Sequence, residues 1–350
     1  MKYFLSIIAV LVAVFLIAEP KIISAAVSGA VSDCLEVIVP SLFAFTVLAV
    51  YLQKSGLYRT ALKPLTFPLS KLLRMDEELC AVFVLANIGG YPVGASLLSE
   101  LVRNGSLSEK NAARMLCCCF GSGPSFIVGI VGMRVFGSAA AGLALFGACF
   151  ASSLVMALIV RAGGGIELKR SSGCCNLSAG TFISSVMSGA KVMFTVCAMI
   201  TGFSVISAIL GSIGVNSLLE RLLGLIGAGE NSSAIFSAVM EVTRIKTIIP
   251  TNHAMPICAA LLSFGGVCVI MQIKALCGKI PLKRFILSRI PAAALGAFFA
   301  SELSKMLPPI DIEALAPNTS AEPFTKNAVL SLCVLAMCGI LLVEARREKA

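Results

Sequence analysis

Apolar stretches long enough to cross a lipid bilayer occupy most of this chain, and no other feature limits its fold as strongly. A transmembrane helix needs roughly 20 apolar residues, and ten segments approach or exceed that length: 4–26, 33–53, 79–101, 115–136, 138–160, 186–211, 231–250, 254–277, 284–303 and 327–343. Only 13% of the 350 residues are charged, about half the share of a soluble domain. Segments of this length also exclude an outer-membrane barrel. The sequence therefore predicts an all-α polytopic membrane protein.

Basic residues cluster between the apolar segments, at 54–74, 103–114, 161–170, 274–289 and 346–349. Cytoplasmic loops of membrane proteins are enriched in Lys and Arg. A nucleic-acid partner is not expected, because no basic face is interleaved with aromatic residues. We therefore predict a multi-pass protein of the cell membrane with cytoplasmic N- and C-termini. Residue 108 is expected on the cytoplasmic side, and residue 318, in the acidic loop 305–326, on the outside.

The basic clusters conflict with a simple count of membrane crossings. Three apolar segments separate the clusters at 54–74 and 161–170, and three more separate 161–170 from 274–289. An odd number of crossings cannot return the chain to the same side. One segment in each half must therefore enter and leave through one face. We expect 79–101 to dip in from the cytoplasm and 231–250 from outside, which is the geometry of an inverted repeat.

The two halves are also weakly similar in sequence, since 41–56 match 192–207, 87–95 match 239–247, and Phe120-Gly121 match Phe264-Gly265. Two shorter amphipathic stretches, 57–74 and 214–227, are expected to lie in the membrane interface. The predicted organisation is an N-terminal transmembrane helix (1–32), a first repeat (33–161), a cytoplasmic linker (162–180), a second, inverted repeat (181–303), and an external loop with a C-terminal transmembrane helix (304–350).

Glycine and proline interrupt the apolar segments in two related pairs of places. Each unpaired backbone group costs several kcal/mol in hydrocarbon, so such breaks are tolerated where they line a cavity or pack against protein. Half-helix N-termini at a break attract anions. A single motif of this kind would favour close helix packing instead, whereas four symmetric breaks favour a substrate site. The predicted site residues are Asn87, Gly90, Tyr91, Pro92, Gly94, Ser122, Gly123, Pro124, Ser125, Glu241, Thr243, Arg244, Ser263, Gly265, Gly266 and Gln272.

Glu241, followed by Arg244 and Lys246, is the most conspicuous charged feature of the apolar segments. A charge at mid-membrane costs at least roughly 2.5–3.5 kcal/mol, so it is usually paired or functional. Glu241 and Arg244 can pair on one helical face and stabilise the hairpin. In the functional interpretation, Glu241 binds a coupling proton or sodium ion or a donor on the substrate. Arg244 or Lys246 then attracts an anionic substrate.

Signatures of enzymes and cofactor sites are missing from the sequence. It contains no Walker loop, HExxH or GxSxG motif and no paired intramembrane acids. The 14 cysteines form no CxxC pair and mostly lie in apolar runs, where they are expected to pack as small apolar residues. The only histidine, His253, has no neighbours for a metal site or a triad. We expect neither enzymatic activity nor a cofactor or metal.

The chain resembles a known family at these motifs. The order of the motifs is that of sporulation integral membrane proteins of the YlbJ type, in the nucleoside-recognition (gate) domain family, and the resemblance covers about 34–303. The motifs are Gly90-Tyr91-Pro92-Val93-Gly94-Ala95, Gly121-Ser122-Gly123-Pro124, Glu241-Val242-Thr243, and Ser263-Phe264-Gly265-Gly266 with Gln272. The resemblance implies a fold similar to concentrative nucleoside transporters, with inverted repeats and re-entrant hairpins. It also implies a role in endospore formation, moving dipicolinate toward the forespore.

Three departures from the family pattern leave the substrate open, and one of them is that Val267-Cys268-Val269 replaces a more polar stretch. Ser122 follows Gly121 where an Asn-Thr-Ser run is expected, and Arg244-Ile245 stand where the family tends to have small residues. The expected function is transport of a small organic anion, dipicolinate first, in the membrane that engulfs the forespore of a spore former. The alternatives are a transporter of a nucleoside or related heterocycle, and a non-transporting scaffold or regulator of sporulation. Assembly as a homo-oligomer is compatible with either.

Overall fold

The computed structural model describes residues 2–166, 168, 177–215, 231–251 and 253–306, and within these ranges it contains helices and irregular segments without strands. The helices are, in chain order, α1 (Lys2–Ala18), α2 (Pro20–Ser55), α3 (Tyr58–Ala61), α4 (Lys63–Leu73), α5 (Glu77–Gly89), α6 (Tyr91–Arg103), α7 (Glu109–Met115), α8 (Pro124–Val135), α9 (Ala139–Ala162), α10 (Ala179–Ser212), α11 (Ser232–Met240), a 3-10 helix (Val242–Thr247), α12 (Ala254–Phe264), α13 (Gly266–Cys277) and α14 (Lys283–Ser304).

Five helical segments of the described chain are long and apolar enough to cross a membrane: α2, α9, α10, α12 together with α13, and α14. They identify a multi-pass membrane protein, and the predicted all-α class is confirmed. Helices α2 and α10 have 36 and 34 residues. At 1.5 Å per residue each is roughly 50 Å long, well beyond the roughly 30 Å of the hydrocarbon core. The two helices pack against each other, so both must tilt or protrude from the core.

The apolar segments 4–26 and 33–53 are not separated at residues 27–32, which are helical. The helix breaks earlier, at Glu19, where φ is −121° and ψ is 55°. Pro20 then starts α2, because its fixed φ and missing N–H suit the first turn of a helix. The new helix continues without interruption to Ser55, with π-helical turns at Cys34–Ile38 just before Pro40. The proposed boundary at 32/33 therefore falls inside one continuous helix.

The amphipathic stretch 57–74 forms the two short helices α3 and α4. Leu65, Phe67 and Leu72 of α4 are each about half exposed. Lys71 lies over the Phe67 ring, with its Nζ 4.2 Å from the ring centroid. A basic helix with outward-facing apolar side chains suits the membrane interface. Residues 216–227 of the second amphipathic stretch, residues 167 and 169–176 of the linker, and the C-terminal segment 327–343 lie outside the described residues.

Three of the basic residues for which the sequence predicts a cytoplasmic position make hydrogen bonds between helices. Arg161 donates to the Leu72 carbonyl at 2.8 Å, and Arg114 donates to the Val160 carbonyl at the same distance. Lys54 donates to the Ser188 hydroxyl at 3.2 Å. These contacts join the ends of α4, α7 and α9 to one another, and separately join the end of α2 to the first part of α10.

Candidate functional site

The two helix breaks of the first half meet at the beginnings of α6 and α8. Gly90 and Gly123 are the N-cap residues, and Pro92 and Pro124 lie in the first turns. Gly90 has a φ of +93°, which only glycine adopts readily. A β-carbon on Gly123 would lie 3.0 Å from the Ile88 carbonyl oxygen. Two helix N-termini therefore converge at one place, and their dipoles and free N–H groups favour a negatively charged or carbonyl-bearing ligand.

Glu241 interrupts the segment 231–250, between α11 and the 3-10 helix. Its backbone is extended, with φ −145° and ψ 109°. The buried carboxylate accepts hydrogen bonds from the Thr243 N–H at 3.0 Å and from the Thr243 hydroxyl at 2.5 Å. Arg244 Nε lies 3.6 Å from the same carboxylate. The expected Glu–Arg pair is present, but it lies across a helix N-terminus rather than along one helical face.

Asn231, which the sequence did not indicate as a contact residue, joins the two ends of the segment 231–250. Its amide donates to the Ile249 carbonyl at 3.0 Å and accepts from the Ile249 N–H at 2.7 Å. The residue before α11 and the segment after the 3-10 helix therefore lie side by side. An Asn at a predicted helix start is common, so the sequence contained no signal for this long-range contact.

Lys246 has a partner that the sequence did not reveal. Its Nζ lies 2.8 Å from Asp33 Oδ1 on α2, so the ammonium is already neutralised. Arg244 is 40% exposed and borders a separate groove with Ser207 and Ser237. Neither cation lines the space at the helix breaks. The expectation that one of them faces the substrate there finds no support in this geometry.

A narrow cleft with a cavity volume of about 40 Å³ lies between the breaks of the two halves. Polar groups are contributed by Ser41, Tyr91, Ser122, Thr243 and Gln272, and the remaining lining is mainly apolar: Ile38, Leu42, Phe126, Val196, Ile200, Val242 and Val269. The Tyr91 hydroxyl donates to the Leu262 carbonyl at 2.8 Å, which fixes the ring at the wall. The described lining contains no charged side chain.

Seven of the predicted site residues line this cleft: Gly90, Tyr91, Pro92, Ser122, Gly123, Thr243 and Gln272. The other nine lie around it or elsewhere: Asn87, Gly94, Pro124, Ser125, Glu241, Arg244, Ser263, Gly265 and Gly266. Gly94 packs so tightly on the Cys119 carbonyl oxygen that a β-carbon would overlap it, and Gly121 lies against the Asn87 side chain. At these two glycines the close-packing interpretation holds.

Phe120, beside the helix break of the first half, packs against Gly265, at the helix break of the second half. Its ring lies against Gly265, where a β-carbon would overlap it, and Gly265 has a φ of +88°. The Tyr91 and Phe285 rings flank Phe120 at centroid distances of 4.7 and 5.0 Å. Phe120 therefore connects the wall of the cleft to the interior of the second half.

Arg289 lies in a different place from the one that the sequence predicts. It was expected in the cytoplasmic loop that ends at 289, but the structure places it on α14, where it is only 1% exposed. Its guanidinium lies between the rings of Phe120 and Phe285, 4.5 and 4.7 Å from their centroids. A signal was available, because Arg289 is a charge within the apolar segment 284–303.

The chain matches no family model, no curated protein and no solved structure.

Proposed function

We propose that this protein is a membrane transporter and that the cleft between the helix breaks is its substrate site. The observation that carries the proposal is the convergence of the α6 and α8 N-termini at a mostly apolar cleft with a few polar side chains. Small-molecule sites have this composition. Transporters commonly build them from interrupted helices whose half-helix ends point at the substrate.

We also propose that the chain is an inverted repeat with two re-entrant hairpins. Helices α5 and α6 have 13 residues each, so each is roughly 20 Å long and too short for a core of roughly 30 Å. They pack against each other around Gly90. The second hairpin is shorter still, and the Asn231–Ile249 hydrogen bonds return its end to its start. Gly90 lies in the segment 87–95 and Glu241 lies in 239–247, and these two segments are similar in sequence between the halves.

The favoured substrate is a small planar organic anion. Its charged edge would face the two helix N-termini, and its ring would lie between apolar walls such as Val196 and Ile200. Dipicolinate, which the family resemblance implies, has this shape, and the role in endospore formation rests on that resemblance. The absence of a charged side chain from the described lining favours the alternative, a nucleoside or related neutral heterocycle.

A matched pair of substitutions on α10 tests the cleft. Ile200 lines it and is 4% exposed, whereas Ile206 on the same helix is 43% exposed. Ile200→Phe should fill the cleft and reduce uptake into proteoliposomes by roughly 5- to 150-fold, as expected for an overpacking penalty of about 1–3 kcal/mol applied to bound substrate. Ile206→Phe should leave uptake unchanged. Dipicolinate and a nucleoside should be assayed separately.

The outcomes of this uptake experiment separate the proposals. Equal uptake by the two phenylalanine variants would show that the cleft is not the substrate site. Uptake of the nucleoside alone would favour the heterocycle transporter. Lack of uptake of any solute by the wild-type protein would favour a non-transporting scaffold or regulator of sporulation.

The proposed topology predicts opposite labelling of two introduced cysteines. Lys110, after the N-cap of α7, and Met306, after α14, are both exposed. In intact cells an impermeant maleimide should label Met306→Cys, whereas Lys110→Cys should react only after permeabilisation. Nine of the ten described native cysteines are buried, and the wild-type chain provides the background. Labelling of both cysteines from one side would contradict the proposed crossings.

A further inference from the structure

A second, smaller cavity lies beside the cleft and contains the guanidinium of Arg289. The two cavities share Ser122, and the second one is also bordered by Ser152, Ser153, Ser263 and Cys149. Arg289 Nη1 donates to the Ser263 carbonyl at 3.4 Å, and Nη2 donates to the Ser288 hydroxyl at 3.0 Å and to the Cys117 carbonyl. The Nε–H is buried and has no hydrogen-bond partner in the described chain.

The charge of Arg289 is only partly compensated. None of the ion pairs among the described residues involves this side chain. The rings of Phe120 and Phe285 provide cation–π attraction. The Cys117 and Ser263 carbonyls lie near the C-terminal ends of α7 and α12, where helix dipoles favour a cation. These are partial charges, whereas a buried full charge is usually paired with an opposite one.

A purely structural role explains part of this geometry. A guanidinium that only clamps the two helix ends would need its Nη donors, and both are used. It would not explain the unpartnered Nε–H beside a cavity. The Ser263 hydroxyl borders the same cavity and has no oxygen or nitrogen partner, since its polar neighbour is the weakly hydrogen-bonding Cys149 thiol. Two buried polar groups without oxygen or nitrogen partners and a partly compensated positive charge therefore border one cavity.

We propose that this cavity binds a small anion, either a halide or the carboxylate group of an organic solute, through Arg289 and the Ser263 hydroxyl. The site is distinct from the cleft but separated from it only by the wall that contains Ser122. It supplies the positive charge that the described lining of the cleft lacks. It requires no bond to be made or broken.

Anion-dependent stabilisation of the purified full-length protein tests the site. Thermal unfolding can be followed with a thiol-reactive dye that reports exposure of the buried cysteines. At equal ionic strength, chloride or formate should raise the midpoint in a saturable way by roughly 2–4 °C relative to gluconate, which is too large for the cavity. Arg289→Gln should abolish this rise. Arg244→Gln, which removes an exposed cation, should retain it.

Each outcome bears on the proposal. An effect of chloride alone identifies a resident inorganic ion, and an effect of formate alone identifies a carboxylate subsite. Lack of saturable stabilisation by either anion, or an equal rise in Arg289→Gln, overturns the site. If Arg289→Gln does not fold, Ser263→Ala decides the matter, because an unchanged anion affinity in that variant also overturns it. No flux is measured, so failure here leaves the proposed transport through the cleft untouched.

Discussion

Replacing Gly94 with alanine is expected to destabilise the protein by about 3 kcal/mol, the upper end of the overpacking range. A β-carbon at this position would overlap the Cys119 carbonyl oxygen and lie 2.9 Å from the Ala86 β-carbon. The carbonyl belongs to the backbone, so no side-chain rotation can relieve the clash. The unfolding midpoint of the purified protein, followed with the thiol-reactive dye, should fall by roughly 5 °C or more.

Gly202→Ala is the matched control for this prediction. Gly202 lies within α10, and a β-carbon there would meet no atom within 4 Å. Alanine should therefore be neutral or stabilise the helix by up to about 1 kcal/mol. Equal midpoints for the two variants would mean that α6 does not approach the chain after α7 as closely as described.

Removal of the Glu241 side chain is expected to have the second largest effect. Glu241→Ala leaves the Thr243 N–H and hydroxyl without their acceptor and Arg244 without its partner. The expected loss of stability is about 1–3 kcal/mol. The proposed transport should fall with it, because Thr243 lines the cleft and its position depends on this cap. Unfolding midpoints and proteoliposome uptake measure the two effects.

Glu241→Gln separates the structural role of this side chain from a role in ion coupling. Glutamine keeps an oxygen that can accept from the Thr243 N–H, so most of the stability and uptake should be retained. Glu302→Ala is the control, because the exposed Glu302–Lys305 pair has the same spacing and should contribute only about 0–1 kcal/mol. If Glu241→Gln folds normally but loses uptake as fully as Glu241→Ala, the carboxylate itself takes part in transport.

Local chemistry made the helix breaks predictable. Gly90 and Gly265 adopt positive φ values that side chains resist, and Pro124 starts a helix where its missing N–H is harmless. These preferences act within a few residues, so they are visible in the sequence. The same is true of the membrane class, which follows from the length of the apolar segments. Even locally the sequence was ambiguous at Glu19-Pro20, where the helix broke earlier than the hydropathy indicated.

Long-range packing decided the rest. Lys246 meets Asp33 across 213 positions of the chain, and the ring of Phe120 enters the space left by Gly265 of the other half. A run of basic residues followed by apolar ones is compatible with Arg289 at the end of a loop and with Arg289 buried in a helix. Which of the two occurs depends on the surfaces that cover that turn in the folded protein. Hydrophobic burial and electrostatic pairing act between segments that folding brings together, so their outcome is set only in the tertiary structure.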